Sequence, residues 1–163
     1  MVNHLDLVVF LRFNIYLLIG QSYDQKGTSL NTYKSLETDG PGQWNDDQVL
    51  KRLDDVMYNA HQYGIKLLIS LHSYNILENN GDFYGKWYGT GYFYTDANAK
   101  NYFKQRIAHV LSHINPHNGK PWSQCNEYIF AFEAQNEAMN GVRSFRFVPR
   151  LSVIHINFLQ SSG

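Results

Sequence analysis

Ile65-Lys66-Leu67-Leu68-Ile69-Ser70-Leu71 is a short, nearly continuous apolar run of the kind shown by parallel strands buried on both faces. Upstream, Pro41-Gly42 makes a turn, and Asn45 with Gln48 three residues on has the form of a helix N-cap with its capping-box partner. Val49, Leu50, Leu53, Val56, Met57 and Ala60 then recur at helical spacing, and Gly64 stands where a C-cap glycine belongs. The spacing predicts a helix over about 46–63. Downstream the order repeats. Thr95 is expected to cap a second helix with an inner stripe of Ala99, Tyr102, Phe103, Ile107, Val110, Leu111 and Ile114, stopped by Asn115-Pro116. Tyr128-Ile129-Phe130-Ala131-Phe132-Glu133-Ala134 reads as the next strand. Helix, strand, helix, strand at this spacing predicts right-handed βαβ units around a parallel sheet. In such sheets ligand groups sit beyond the C-terminal ends of the strands.

The flanks differ in character. Leu5–Gly20 is an apolar run broken by Asp6, Arg12 and Asn14, too short and too interrupted to span a membrane. As a signal peptide it would carry Arg12 inside its apolar region and Asp6 inside its basic start. A β-strand within Val8–Ile19 fits its β-branched and aromatic content equally well. The last segment, 141–163, holds Arg143, Arg146 and Arg150 with no acid. That shift in composition marks a separate tail.

Fourteen Lys plus Arg balance fourteen Asp plus Glu, so no whole-chain field exists to draw in nucleic acid or anionic lipid. The lone cysteine, Cys125, excludes an internal disulfide and a cysteine-rich zinc module. No glycine-rich phosphate loop, G-x-S-x-G elbow or CxxC pair is present, so no cofactor is expected. His109 and His113 are spaced i,i+4 with His117 beyond, but no glutamate lies inside the pair as in zinc proteases, and no metal is expected. What stands out is 12 Tyr, 10 Phe and 3 Trp against only 17% charged residues. Aromatic faces with polar handles suit an uncharged ligand such as a sugar, or simply a well-packed core.

Two strand ends carry chemistry. After the first comes His72, which reads either as a hydrogen-bonder to substrate or as a satisfied histidine. After the second come Gln135-Asn136-Glu137. A carboxylic acid at an apolar mouth has its charged form disfavoured, so Glu137 is the candidate general acid, with the Asn136 amide beside it as a sugar contact. The competing reading makes Asn-Glu a turn or a cap. Glu133 shares strand parity with Glu137 but lies deeper, and is expected to be a structural acid with a hydrogen-bonding or basic partner. Asp82–Thr95 is the densest aromatic stretch, with Gly85, Gly89 and Gly91 interleaved, and is expected to be a loop. Trp87 is its best candidate for stacking on a pyranose ring, and most of the other rings are expected to pack.

The ordered set Pro41–Asn45, Ala60–Gly64, Ile65–Ile69, Tyr92–Thr95 and Ile129–Glu137 resembles the catalytic domain of glycoside hydrolase family 5, most closely its fungal and plant endo-β-1,4-mannanases. The resemblance covers residues 23–140, leaving 1–22 as a divergent apolar segment and 141–163 as a basic tail. It implies an α/β fold, part of a (β/α)8 TIM barrel with roughly strands two to four, and a polysaccharide or oligosaccharide substrate cleaved with retention. It also implies Glu137 as acid/base, Asn136 as the sugar contact next to the cleavage point, His72 at a subsite-lining position, and secretion as the family's habit. Retention needs a nucleophilic carboxylate, which the family places on strand seven, and no Asp or Glu follows Glu137 here. Ala138 replaces the family's proline, and Arg12 lies too far upstream for the family's strand-two arginine. A whole barrel takes roughly 250 residues. The chain is therefore expected to encode the front half of such an enzyme, inactive alone, with a carbohydrate-binding half barrel as the alternative. Open strand edges would favour self-association.

Overall fold

The computed structural model describes residues 35–37, 39–136 and 138, together with the backbone of three short strands, β1 (Phe10–Asn14), β2 (Ser22–Tyr23) and β3 (Ser29–Asn31). Glu137 and the tail 141–163 lie outside the described residues. β1 falls within the strand expected in Val8–Ile19. It runs parallel to β4 (Lys66–Ser70), pairing Phe10 with Lys66 through Asn14 with Ser70. β5 (Ile129–Glu133) lies parallel on the other side of β4, giving the order β1-β4-β5. β2 and β3 form a separate antiparallel pair. The parallel sheet expected from the two apolar runs is thus present, with β4 at its centre.

α1 (Leu50–His61) buries Leu50, Leu53, Asp54 and Met57, a stripe at i, i+3, i+4 and i+7. Its end is a Schellman motif: Gly64 takes φ 70°, its N–H reaches His61 O, and Ile65 N–H reaches Ala60 O. Any side chain at Gly64 would be strained there. The start differs from expectation. Asn45 does not cap α1, because its side-chain amide donates to Ser35 O at 2.6 Å, and residues 46–49 form a turn before the helix begins. The second long helix, α4 (Ala97–Ser112), is capped by Asp96 rather than Thr95. Asp96 Oδ1 accepts from Asn98 N–H and Ala99 N–H, while the Thr95 hydroxyl donates to Gly91 O. A carboxylate at a helix N-terminus also meets the favourable end of the dipole. Ile114, expected in the inner stripe, lies past the helix end and is 53% exposed.

The aromatic stretch is not a loop. α2 (Tyr74–Glu78) and α3 (Phe83–Tyr92) occupy it, with a break at Gly89 (φ 57°). Asp82 caps α3 by accepting from Gly85 N–H at 3.2 Å, and Gly85 lets α3 close on the preceding turn. A Cβ there would fall 2.7 Å from Leu77 O and 2.8 Å from Asn80 Cα. Phe83, Tyr84, Leu77 and Phe93 form a second small core beneath it. The main core joins the inner faces of α1, β4, β5 and α4 through Leu53, Met57, Leu67, Ile69, Val110, Trp122 and Phe132. Cys125 is buried in this core, and burial pushes its thiol up in pKa, so it is a packing residue.

Polar contacts clamp α1 to α4. The three histidines that suggested a metal do not converge. His109 Nε2 is 2.9 Å from Asp46, His113 Nε2 is 2.8 Å from Asp54, and His117 Nε2 is 2.9 Å from Asp55. Among the described residues no three His, Cys, Asp or Glu side chains gather around one point. Asp54 is fully buried and also accepts from Trp122 Nε1 at 2.7 Å.

A second buried polar group joins α4 to the strand ends. Arg106, 3% exposed, donates Nε to Glu37 Oε2 at 2.7 Å, and its Nη2 lies 3.5 Å from Asp82 Oδ2. Its guanidinium also stands 4.9 Å over the Tyr84 ring. Glu37 accepts from Gly42 N–H and the Tyr84 hydroxyl. Burial pushes the Asp82 carboxyl up. Attraction to His72 and its hydrogen bond, the Arg106 charge and the Gly85 N–H outweigh this and hold it below its ordinary value.

Two predictions follow from these clamps. Asp54→Ala strands the Trp122 N–H and leaves His113 without its acceptor, and should lower unfolding free energy by about 3 kcal/mol in urea titrations. Asp55→Ala, at an exposed pair, should cost less than about 1 kcal/mol. For Asp82, the folded pKa is depressed, so its contribution is present above the unfolded value of about 3.9 and is lost as pH falls below it. The urea midpoint should therefore drop more steeply below about pH 4 in the native chain than in Asp82→Asn.

Candidate functional site

The ends of β4 and β5 remain paired after the strands stop. Leu71 N–H donates to Glu133 O at 2.9 Å, Asn136 N–H to His72 O at 3.0 Å, and Tyr74 N–H to Asn136 O at 3.0 Å. His72 and Asn136, singled out separately in the sequence, thus lie side by side at the C-terminal rim of the sheet, with a parallel bridge between Ser73 and Asn136. Parallel α/β sheets bind ligands at this rim. Asn136 is half-buried, while His72 is only 2% exposed.

Both His72 ring nitrogens are engaged. Nε2 lies 3.1 Å from Asp82 Oδ2, and Nδ1 lies 2.9 Å from the Gln135 amide nitrogen. With Nε2–H donated to the Asp82 carboxylate, Nδ1 is the acceptor for Gln135. Gln135 in turn accepts from the Tyr94 hydroxyl at 2.6 Å. The His72 ring stacks on Phe93 at 5.1 Å and 18° and meets the edges of Tyr84 and Phe103. His72 therefore offers no free nitrogen at the rim. Its polar atoms are spent on holding Gln135.

Glu133 lies one turn of the pleat deeper, buried, and accepts a hydrogen bond from the Ser70 hydroxyl on the neighbouring strand. That is the hydrogen-bonding partner expected of a structural acid. Trp87 projects from α3 with 57% of its surface exposed and meets Phe83 edge-on at 5.2 Å. It reaches His72 only through a chain of rings, Phe83 to Tyr84 at 4.0 Å and Tyr84 to His72 at 5.6 Å. Phe83, Tyr84 and Phe93 are buried, so the stretch supplies packing as well as a surface ring. Tyr94, Asp82, Arg106 and Glu37 were not singled out in the sequence as site residues. Arg106 had a usable signal, since it interrupts the apolar stripe of α4 between Phe103 and Val110 and so demanded a buried partner. Nothing local to Tyr94 marked it among so many aromatic neighbours.

No family model matches the chain. It is 35% identical over 106 residues to mannan endo-1,4-beta-mannosidase 1 of Arabidopsis thaliana, covering 60% of this chain and 24% of that protein. It is 33% identical over 108 residues to mannan endo-1,4-beta-mannosidase 5 of Solanum lycopersicum, covering 58% and 25%. The chain thus spans about a quarter of the length of these relatives. Among solved structures, an endo-β-1,4-mannanase from Thermotoga petrophila superposes over 78% of this chain and 28% of its own, with a TM-score of 0.54 and 26% identity. A hyperthermostable endo-1,4-β-D-mannanase from the same organism gives a TM-score of 0.55 and 27% identity over 78% of this chain and 36% of its own. In sequence and in fold, this chain is related to the endo-1,4-β-mannanases of glycoside hydrolase family 5, and its parallel sheet is part of their barrel.

Proposed function

We propose that this chain carries the acid/base portion of a retaining endo-β-1,4-mannanase site. Glu137 is the acid/base, Asn136 contacts the sugar next to the cleavage point, and Trp87 supplies a stacking face for a further sugar ring. The observation that carries this reading is the pinned backbone of Asn136, held between His72 O and Tyr74 N–H at the rim of a parallel sheet. Residues fixed there face the ligand side of such folds, and Glu137 is the next residue in the chain. Similarity to mannan endo-1,4-beta-mannosidases supports β-mannan as the substrate class.

Retention requires a second carboxylate about 5–5.5 Å from the first. The buried acids at the rim are already committed: Glu37 and Asp82 to Arg106, and Glu133 to Ser70. No acid follows Glu137 in the sequence. The chain by itself is therefore a binder of β-1,4-linked mannose units rather than a hydrolase.

Calorimetry with mannohexaose should show binding, and Trp87→Ala should weaken it about tenfold, the equivalent of about 1.4 kcal/mol for a lost stacking face. Galactomannan incubated with the chain should release no reducing sugar. Turnover that disappears in Glu137→Gln would overturn the assignment of the nucleophile to residues outside this chain. Equal affinity for cellohexaose would replace mannan by β-1,4-glucan, since the two sugars differ in the axial or equatorial 2-hydroxyl.

A further inference from the structure

We propose that Tyr94, acting through Gln135 and His72, is a positioning residue for the Asn136–Glu137 strand end. The four side chains form one continuous relay across the rim. Tyr94 Oη donates to Gln135 Oε1 at 2.6 Å, and Gln135 Nε2 donates to His72 Nδ1 at 2.9 Å. His72 Nε2 then donates to Asp82 Oδ2 at 3.1 Å, and Asp82 Oδ1 accepts the Gly85 N–H that starts α3. The relay therefore begins just beyond α3, crosses the end of β5, passes the end of β4 and terminates on the N-cap of α3. Its far end is fixed by charge, because Arg106 stands 3.5 Å from the same Asp82 oxygen.

The relay has a mechanical consequence. β5 ends at Glu133, and a strand end ordinarily frays where regular pairing stops. Gln135 lies two residues beyond that end yet is only 8% exposed, with its amide held at both the oxygen and the nitrogen. The ring it leans on cannot rotate away, being stacked on Phe93 and flanked by the edges of Tyr84 and Phe103. Asn136 is then held by its own N–H and C=O. Two consecutive residues thus carry four hydrogen bonds immediately before Glu137. Catalytic groups must be held to within roughly 0.5 Å of the productive geometry, which a frayed strand end does not provide. Tyr94 is the one member of the relay that comes from outside the strand ends and the Asp82 anchor, so its hydroxyl is the contact that closes the arrangement.

The functional importance of this positioning rests on the reading of Asn136 and Glu137 given above. The positioning itself is measured without a ligand. In the full chain, amide hydrogen exchange followed by NMR reads the bonds of Tyr74 N–H and Asn136 N–H directly. Tyr94→Phe keeps the ring and removes only the hydroxyl. It should speed exchange at these two amides about tenfold, while the amides of β4 and α4 keep their protection to within about twofold. A residue that merely stabilises the whole fold would lower protection everywhere by the same factor. Gln135→Ala should give the same local pattern, and adding Tyr94→Phe to it should change nothing further, because the two act on one path. Unchanged exchange at residues 74 and 136, uniform acceleration, or additive effects of the two substitutions would each overturn the proposal. Mannohexaose binding is scored separately. A native chain that does not bind it retires the mannan reading, and the exchange pattern decides the relay on its own.

Discussion

The buried guanidinium of Arg106 is the constraint around which this part of the barrel is organised. A charge taken out of water is costly unless its partners are placed in advance, and here they come from widely separated segments. Glu37 precedes α1, Asp82 precedes α3, and the Leu71 carbonyl that faces Nη1 at 3.4 Å closes β4. Each can meet Arg106 only when α4 has been laid across the sheet in one register. Hydrophobic packing along the α4 stripe tolerates small slides of the helix, whereas the fork of the guanidinium does not. The apolar core therefore supplies most of the stabilisation, and Arg106 selects which arrangement of that core is occupied.

The two polar systems of the molecule do different work. The histidine and aspartate pairs between α1 and α4 lie on the outer layer, where Asp54 alone is fully buried, and they act as side-by-side clasps. The relay at the rim is serial, so that the loss of one link loosens the next. A serial arrangement suits a site that needs one geometry, and parallel clasps suit a helix pair that needs only to stay attached. His72 and His113 illustrate the contrast, since both face a carboxylate, but only His72 passes the constraint on through its second nitrogen.

Much of this was legible in the chain before any coordinates. The two apolar runs gave β4 and β5, Gly64 marked the end of α1, and the parallel order followed from the alternation of elements. What failed were the starts of helices. Asn45 and Thr95 have capping side chains, but tertiary context gave Asn45 a carbonyl to bind, and the neighbouring Asp96 outcompeted Thr95. The aromatic stretch misled because its glycines suggested a loop, while Gly85 is there to let α3 approach the turn before it. Site chemistry was visible only in part. Asn136 and His72 could be named from their position after strands, but the meeting of Tyr94, Gln135 and Asp82 depends on three-dimensional contacts that no local pattern encodes.

The placement of Arg106 also bears on how such a chain comes off the ribosome. Glu37 and Asp82 lie before Arg106 in the sequence, and Gln135 lies after it. During synthesis from the N-terminus, both carboxylates that neutralise the guanidinium have emerged before α4 does, so the helix can dock without ever burying an uncompensated cation. β5 and its strand end arrive last, onto an anchor already in place. The order of residues along the chain thus matches the order in which the electrostatic cost of assembly must be met.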